Sequence, residues 1–321
     1  MSQDGRIADD TGTPDVQQYL RREGGAAAEL GEGVASSPLR FEGGAHYRIE
    51  IAGIETVSNL EAMIDEADRR SVVIHRVIAM VGGSALVDKA ELSAFADIAR
   101  SREMEVMLNP AAFRAWDGGR QYATSEGYVS GMRLRGPNAI FYVLKEIERC
   151  LDLGFRGFLV TDESLLMVLA RMRRDNVLPA DMKLKVSVFA GHGSPAGARL
   201  LEELGANSFN PLADLSLPML GAIRQAVQIP LDVYLCIVDS MGGMHRFHEA
   251  SEIARVCAPV YFKIEPGRSE AELYNTWADD AVLDRLARKK VQLAQIANEW
   301  VERLGTDVHS NEHRSDLAIP R

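Results

Sequence analysis

Charged residues occupy positions where a buried β-strand would carry aliphatic side chains. In the run Leu231–Val238, Asp232, Tyr234 and Cys236 alternate with Leu231, Val233, Leu235 and Ile237. In Val260–Ile264, Tyr261 and Lys263 alternate with Phe262 and Ile264, and Glu265 continues the polar set. Lys185 and Ser187 do the same within Leu184–Phe189, as do Arg48 and Glu50 within Tyr47–Ile51. Strand side chains point alternately to opposite faces, so each run has one apolar and one polar face. Asn109, Asp162 and Asn210 end three further runs, and His75 and Arg76 close a fourth in which either could face inward. A buried charge without a partner costs several kcal/mol, so a set of mixed sign must pair internally or hold a ligand.

The chemistry such a set could perform is specific. A lysine ammonium neutralises an anion or polarises a carbonyl, and a desolvated one beside another cation can form a Schiff base. A carboxylate whose pKa is shifted by its neighbours moves protons near neutral pH. Glu50, Lys185, Asp232, Lys263 and Glu265 are therefore the expected catalytic residues. His75, Arg76, Asn109, Asp162, His192, Asn210, Tyr234 and Arg268 are expected to contact substrate. The bland alternative is a salt-bridge network in which Lys185 and Lys263 are neutralised by Glu50, Asp232 and Glu265. Glu50, Asp162, Asp232 and Glu265 could also surround a divalent ion through hard oxygen ligands. His245 and His248, three apart, are a weak pair of metal ligands without an obvious third. Gly242-Gly243 and Gly267-Arg268-Ser269 fall where barrels often bind phosphate.

The elements that would position these groups alternate along the chain. Eight β-rich runs are expected: Tyr47–Ile51, Val72–Val77, Glu105–Leu108, Gly157–Thr161, Leu184–Phe189, Ser208–Asn210, Leu231–Val238 and Val260–Ile264. Most are followed by apolar residues at helical spacing, as in Val57–Arg70, Asp88–Arg100, Ala139–Leu153 and the long run Asp280–Leu304. Eight alternating strands and helices predict a closed (β/α)8 barrel of the TIM type. A doubly wound sheet is the rival, but no glycine-rich phosphate loop follows the first strand. The barrel is expected over residues 39–304, after a disordered lead-in (1–38) and before a flexible tail (305–321). The stretch from Pro110 to Asn138, with Trp116 and Tyr122 among glycines, reads as a lid.

The chain has 321 residues and a formal charge of −10, which disfavours nucleic-acid partners. It contains no apolar run long enough to span a membrane. The acidic start is unlike a targeting segment, and the three cysteines, Cys150, Cys236 and Cys257, make no disulfide framework. A cytoplasmic location, a small-molecule substrate and, at most, homo-oligomeric partners are the expectation.

Phe262-Lys263-Ile264-Glu265, followed after Pro266 by Gly267-Arg268, resembles the Lys-Ile-Glu-Gly-Arg signature of the collagenase-like peptidases of unknown catalytic type, peptidase family U32. Leu201–Ala206 leading into Asn210, then Leu215-Ser216-Leu217, is similar to that family's middle portion. The resemblance spans residues 45–275. It implies a TIM-type barrel and activities ranging from peptide hydrolysis to hydroxylation of RNA or quinone precursors, and it singles out Lys263, Glu265 and Arg268. Members of the hydroxylation group hold an iron–sulfur cluster on four cysteines, and this chain has three. Lyase or isomerase chemistry on a small polar or anionic metabolite is therefore the primary expectation. Hydrolysis and a non-catalytic, ligand-binding barrel are the alternatives.

Overall fold

The computed structural model describes residues 33–110, 133–274, 277–304, 307–312 and 314–321. The barrel lies within the unit of residues 35–321. Its strands are β1 (Tyr47–Ile54), β2 (Arg76–Ala79), β3 (Glu105–Leu108), β4 (Gly157–Val160), β5 (Lys183–Val186), β6 (Ser208–Phe209), β7 (Leu231–Cys236) and β8 (Val260–Ile264). Every neighbouring pair is parallel, and β8 closes on β1 through Arg48↔Tyr261 and Glu50↔Lys263. The fold is a (β/α)8 barrel.

The helices are α1 (Val57–Arg70), α2 (Lys89–Ser101), α3 (Gly136–Asp152), α4 (Glu163–Arg174), α5 (Pro195–Glu203), α6 (Leu217–Ala226), α7 (Ala250–Cys257) and α8 (Asp280–Arg303). Side-chain caps fix several starts: Thr56 accepts the Asn59 amide, Asp88 that of Glu91 and Ser194 that of Gly197. Each such cap satisfies an amide that the first helical turn leaves unpaired. Helix α4, whose buried stripe is Leu165, Leu166, Leu169 and Ala170, has no counterpart among the expected helical runs.

Several boundaries differ from expectation, three of them with a clear local cause. β2 begins at Arg76 rather than Val72, because Ser71 leaves α1 in a left-handed turn and the Val72 amide bonds back to Ala67. β5 stops at Val186, where the Ser187 side chain caps a short turn, Val188–Ala190. The barrel unit starts before residue 39, since Ser37 is buried and its hydroxyl donates to the Ala258 carbonyl (2.5 Å). The disordered lead-in and the lid fall mainly on residues 1–32 and 111–132, outside the described residues.

The segment after α8 is not a loose tail. Ala318 is buried and its amide donates to Glu105 (2.9 Å), while Asp316 pairs with Arg48 (2.7 Å). Residues 307–312 and 314–321 thus pack at the N-terminal end of the barrel, where Arg48 and Glu105 require partners.

Candidate active site

The inward-facing polar residues form successive tiers rather than one ring. Nearest the N-terminal end, Arg48 pairs with Asp316 and lies 4.2 Å over the Phe41 ring, and the Tyr261 hydroxyl donates to Glu105 (3.0 Å). His75 belongs to this end and not to the mouth. Its Nδ1 accepts the Ile49 amide (3.2 Å), which leaves Nε2 to donate to the Asn311 carbonyl (2.6 Å). Burial pushes its pKa down to about 3, so it is neutral. Of the two residues that could have faced inward, Arg76 does.

Arg76 is the centre of the middle tier. Its guanidinium bonds both Glu50 and Asp232, reaches the Ser208 hydroxyl at 3.2 Å, and stacks 3.3 Å over the Tyr261 ring. Lys185 Nζ lies 2.5 Å from Asp232 and 3.2 Å from Glu50, and Ser208 donates to Asp232 (3.0 Å). Burial opposes charge on Asp232, but contact with Arg76 and Lys185 outweighs it and holds the carboxyl below its usual range. Burial lowers Lys185 to about 8 against the pull of both carboxylates. These four side chains are 0–1% exposed. Two cations and two carboxylates are thereby balanced in charge, although one Glu50 oxygen and the Lys185 ammonium, close as it lies to Asp232, make no hydrogen bond of good geometry.

The next tier toward the C-terminal end is built differently. Lys263 Nζ donates to the neutral Asn210 amide oxygen (3.1 Å), lies 4.5 Å from the Tyr234 ring centroid, and has Glu265 at 3.7 Å, outside hydrogen-bond reach. Tyr234 is hydrogen-bonded to Glu265; burial first, then that carboxylate, raises the phenol well above its ordinary value. Lys263 and Glu265 are buried, at 4% and 5% exposed. Above it lies an apolar layer of Val188, Ile237, Val238, Leu273 and Tyr274, with Val81, Phe189 and Met244 packed against it.

Two residues beside this tier were not singled out from sequence. The β1–β2 register shifts at Gly53, whose φ is +74°, and the bulge turns the Ala52 and Gly53 carbonyls toward Lys290 Nζ, 2.7 Å from each. A Cβ on Gly53 would lie 3.0 Å from both Lys290 Nζ and the Tyr274 ring, so only glycine suits the position. Lys290 comes from α8 and is buried; burial lowers it to about 8 while Glu265 and Glu55 pull the other way. Glu55 is fully buried, accepts the Val81 and Gly82 amides (2.9 and 3.2 Å), and is raised by burial to about 7. One signal was available: Lys290 falls on the α8 stripe of Leu283, Ala287, Ala294, Ala297 and Val301, where an apolar residue belongs.

The remaining candidates are dispersed. Asn109 donates to the Val81 carbonyl (2.7 Å), and Asp162 caps α4 through the Ser164 and Leu165 amides while also accepting that of Leu134. His192 Nε2 lies 2.6 Å from Glu163, which Arg133 also pairs. Arg268 is exposed in the β8 loop. His245 sits in a bridge to Cys236, and His248 is exposed beside Glu249 at 3.7 Å. Among the described residues no group of three potential ligands is arranged to hold a metal. The four carboxylates considered for a divalent ion do not fit one, because Glu50 and Asp232 already bind Arg76 and Lys185 and Asp162 is committed to amides. Cys150, Cys236 and Cys257 are buried, and burial raises each thiol to about 12.

No family model and no curated protein matches the chain. Solved structures similar to it include a U32 peptidase, with 15% identity over 89% of this chain and 91% of that one and a TM-score of 0.39. A 3-hexulose-6-phosphate synthase shows 13% identity over 77% and 99% of the two chains, with a TM-score of 0.41. The BexX/CysO complex of Amycolatopsis orientalis shows 13% over 82% and 94%, with a TM-score of 0.42. Likeness at this level concerns the barrel and not its chemistry. No family model or curated relative supports the U32 resemblance, and the barrel rests on the strand order itself. No helix among the described residues is long and apolar enough to cross a membrane.

Proposed function

We propose that the protein is an enzyme acting on a small anionic or carbonyl-bearing metabolite at the C-terminal mouth of the barrel. The supporting observation is the contrast in how Lys263 is held. A lysine ammonium has three donor protons, and the oxygen in hydrogen-bond contact with Lys263 belongs to neutral Asn210. A substrate carboxylate, phosphate or carbonyl oxygen supplies the missing acceptor.

In this reading Lys263 binds and polarises the substrate, and Asn210 fixes the direction of its ammonium. Glu265 takes or delivers a proton, held in place by the Tyr234 hydroxyl. Lys185, Asp232 and Glu50 lie beneath, where with Arg76 they form a charged floor under Lys263. Lys290 and Glu55 support the β1 and β8 ends from the side. Proton transfer next to a carbonyl, as in a lyase or isomerase, is the chemistry this set suits. The apolar layer of Leu273 and Tyr274 must open to admit substrate and then excludes water.

The test is solvent-deuterium exchange, followed by NMR, across a panel of 2-oxo acids, hydroxy acids and sugar phosphates. Exchange by the wild type that falls at least about 100-fold in both Lys263→Met and Glu265→Gln supports the assignment. Borohydride trapping with an active compound then distinguishes a Schiff base from a purely electrostatic lysine. Exchange that persists in both folded variants overturns the reading. Saturable binding without turnover identifies a non-catalytic barrel instead.

A further inference from the structure

A cavity of about 520 Å³ lies outside the mouth, between the β8 loop and α8. Volumes of about 300–1,000 Å³ are typical of small-molecule sites. Its floor is apolar: Leu273 and Leu283 are 4% and 6% exposed, and Leu286 packs between them. Its rim is cationic. Arg285 and Lys289, four residues apart on α8, project on one helix face, and Arg268 faces them from the β8 loop.

Three further observations say what would fit. Lys289 bonds only the neutral Gln292 amide (2.8 Å), and among the described residues neither Arg268 nor Arg285 has a carboxylate partner. The acids that line the cleft are Glu272 and Asp279, and Asp279 is spent capping α8 through the Ala281 amide (2.8 Å). Three cations against two carboxylates leave the cleft net positive on a chain of net charge −10. Val282, which lines the cleft, is 40% exposed, and Trp277, next in the chain to the lining residue Ala278, is 73% exposed. A cleft with a greasy floor and cations around it matches a ligand with the same split.

We propose that this cleft binds a single small amphiphilic anion, an aliphatic chain ending in a carboxylate or phosphate. The chain lies on Leu273, Leu283 and Leu286, and the head is held by Arg268, Arg285 and Lys289. The site shares Leu273 with the apolar layer over the mouth and none of the residues assigned to the chemistry, Lys263 and Glu265.

The experiment is calorimetric titration of the full chain with decanoate, decyl phosphate, decanol and inorganic phosphate, with indole fluorescence recorded in parallel. Decanoate and decyl phosphate are expected to bind one per chain. Decanol and inorganic phosphate should each bind at least about 10-fold more weakly, because each offers half of the recognition. The double substitution Arg268→Gln/Arg285→Gln should weaken decanoate about 10-fold or more. Leu286→Asn should weaken decanoate as well, without changing the thermal midpoint beyond a surface variant. Trp277→Phe should remove the fluorescence change while retaining calorimetric binding. Equal binding of decanol overturns the proposal in favour of a merely greasy groove, and equal binding of phosphate overturns it in favour of a simple anion site. Undiminished decanoate binding in the arginine double variant, or partition only onto phosphatidylglycerol vesicles, overturns it too. A common loss of the mouth chemistry in Lys263→Met leaves all these outcomes unchanged, so the two assignments fail separately.

Discussion

Lys185 and Lys263 both point into the barrel, one tier apart, and their surroundings are opposite. Lys185 touches two carboxylates and is wholly buried. Lys263 touches a neutral amide and has its carboxylate at 3.7 Å. A buried ion pair repays its desolvation only where geometry is close and the remaining donors are matched. The middle tier meets the first part of that condition, close opposite charges, although Lys185 Nζ and one Glu50 oxygen lack a hydrogen bond; the upper tier does not. One lumen thus holds a layer of close opposite charges and, one tier away, a lysine whose carboxylate neighbour stands off at 3.7 Å.

The sharpest way to break that contrast is to remove the hub of the middle tier. Arg76→Met strands Glu50 and Asp232 in the interior, and a loss of about 3–5 kcal/mol is expected by urea unfolding. A loss below about 1 kcal/mol would mean that water reaches this tier and that the two layers are not distinct. Next comes Glu55, whose folded-state pKa is raised from 4.5 to about 7. The folded protein then binds more protons than the unfolded chain across that interval, so stability declines as pH rises from 4.5 to 7. Relative to Glu55→Gln, the wild type should lose about 3 kcal/mol over this window, read from unfolding curves at several pH values. Parallel curves would remove Glu55 as a buried acid.

Lys263→Met should cost less than half the stability lost in Arg76→Met while abolishing about 100-fold or more of any exchange activity. If the order of stability losses is reversed, the assignments of the two tiers must be exchanged. Asp316→Asn should cost about 1–2 kcal/mol, because it leaves the Arg48 guanidinium with a weaker partner at the closed end. Finally, His248→Ala should shift stability by less than about 0.5 kcal/mol and leave metal content unchanged, as suits an exposed side chain.

The barrel was readable because its signal is repeated eight times. Alternation in β7 and β8 placed Asp232, Tyr234, Lys263 and Glu265 on the inner face, where they are found, since a period of two has only two solutions. Arg76 and His75 were ambiguous because β2 is four residues long and its polar pair lies at the very start. Tiers were not readable at all. The height of a side chain in a barrel depends on strand tilt and stagger, which set Glu50 beside Arg76 and Lys263 through pairings between distant segments. The same holds for Glu55 and Lys290, whose meeting at the Gly53 bulge joins residues far apart in the chain.

Local chemistry in the chain determined the strand faces, the helix starts and the barrel they close into, because alternation, capping and apolar periodicity act over a few residues. Tertiary structure alone decided which charges neutralise one another. It also decided that the segment around Asp316 and Ala318 seals one end, and that Lys263 is left with an acceptor to find. Pairing of buried charges is settled by distances of a few ångströms, and those distances exist only once the eight strands have closed.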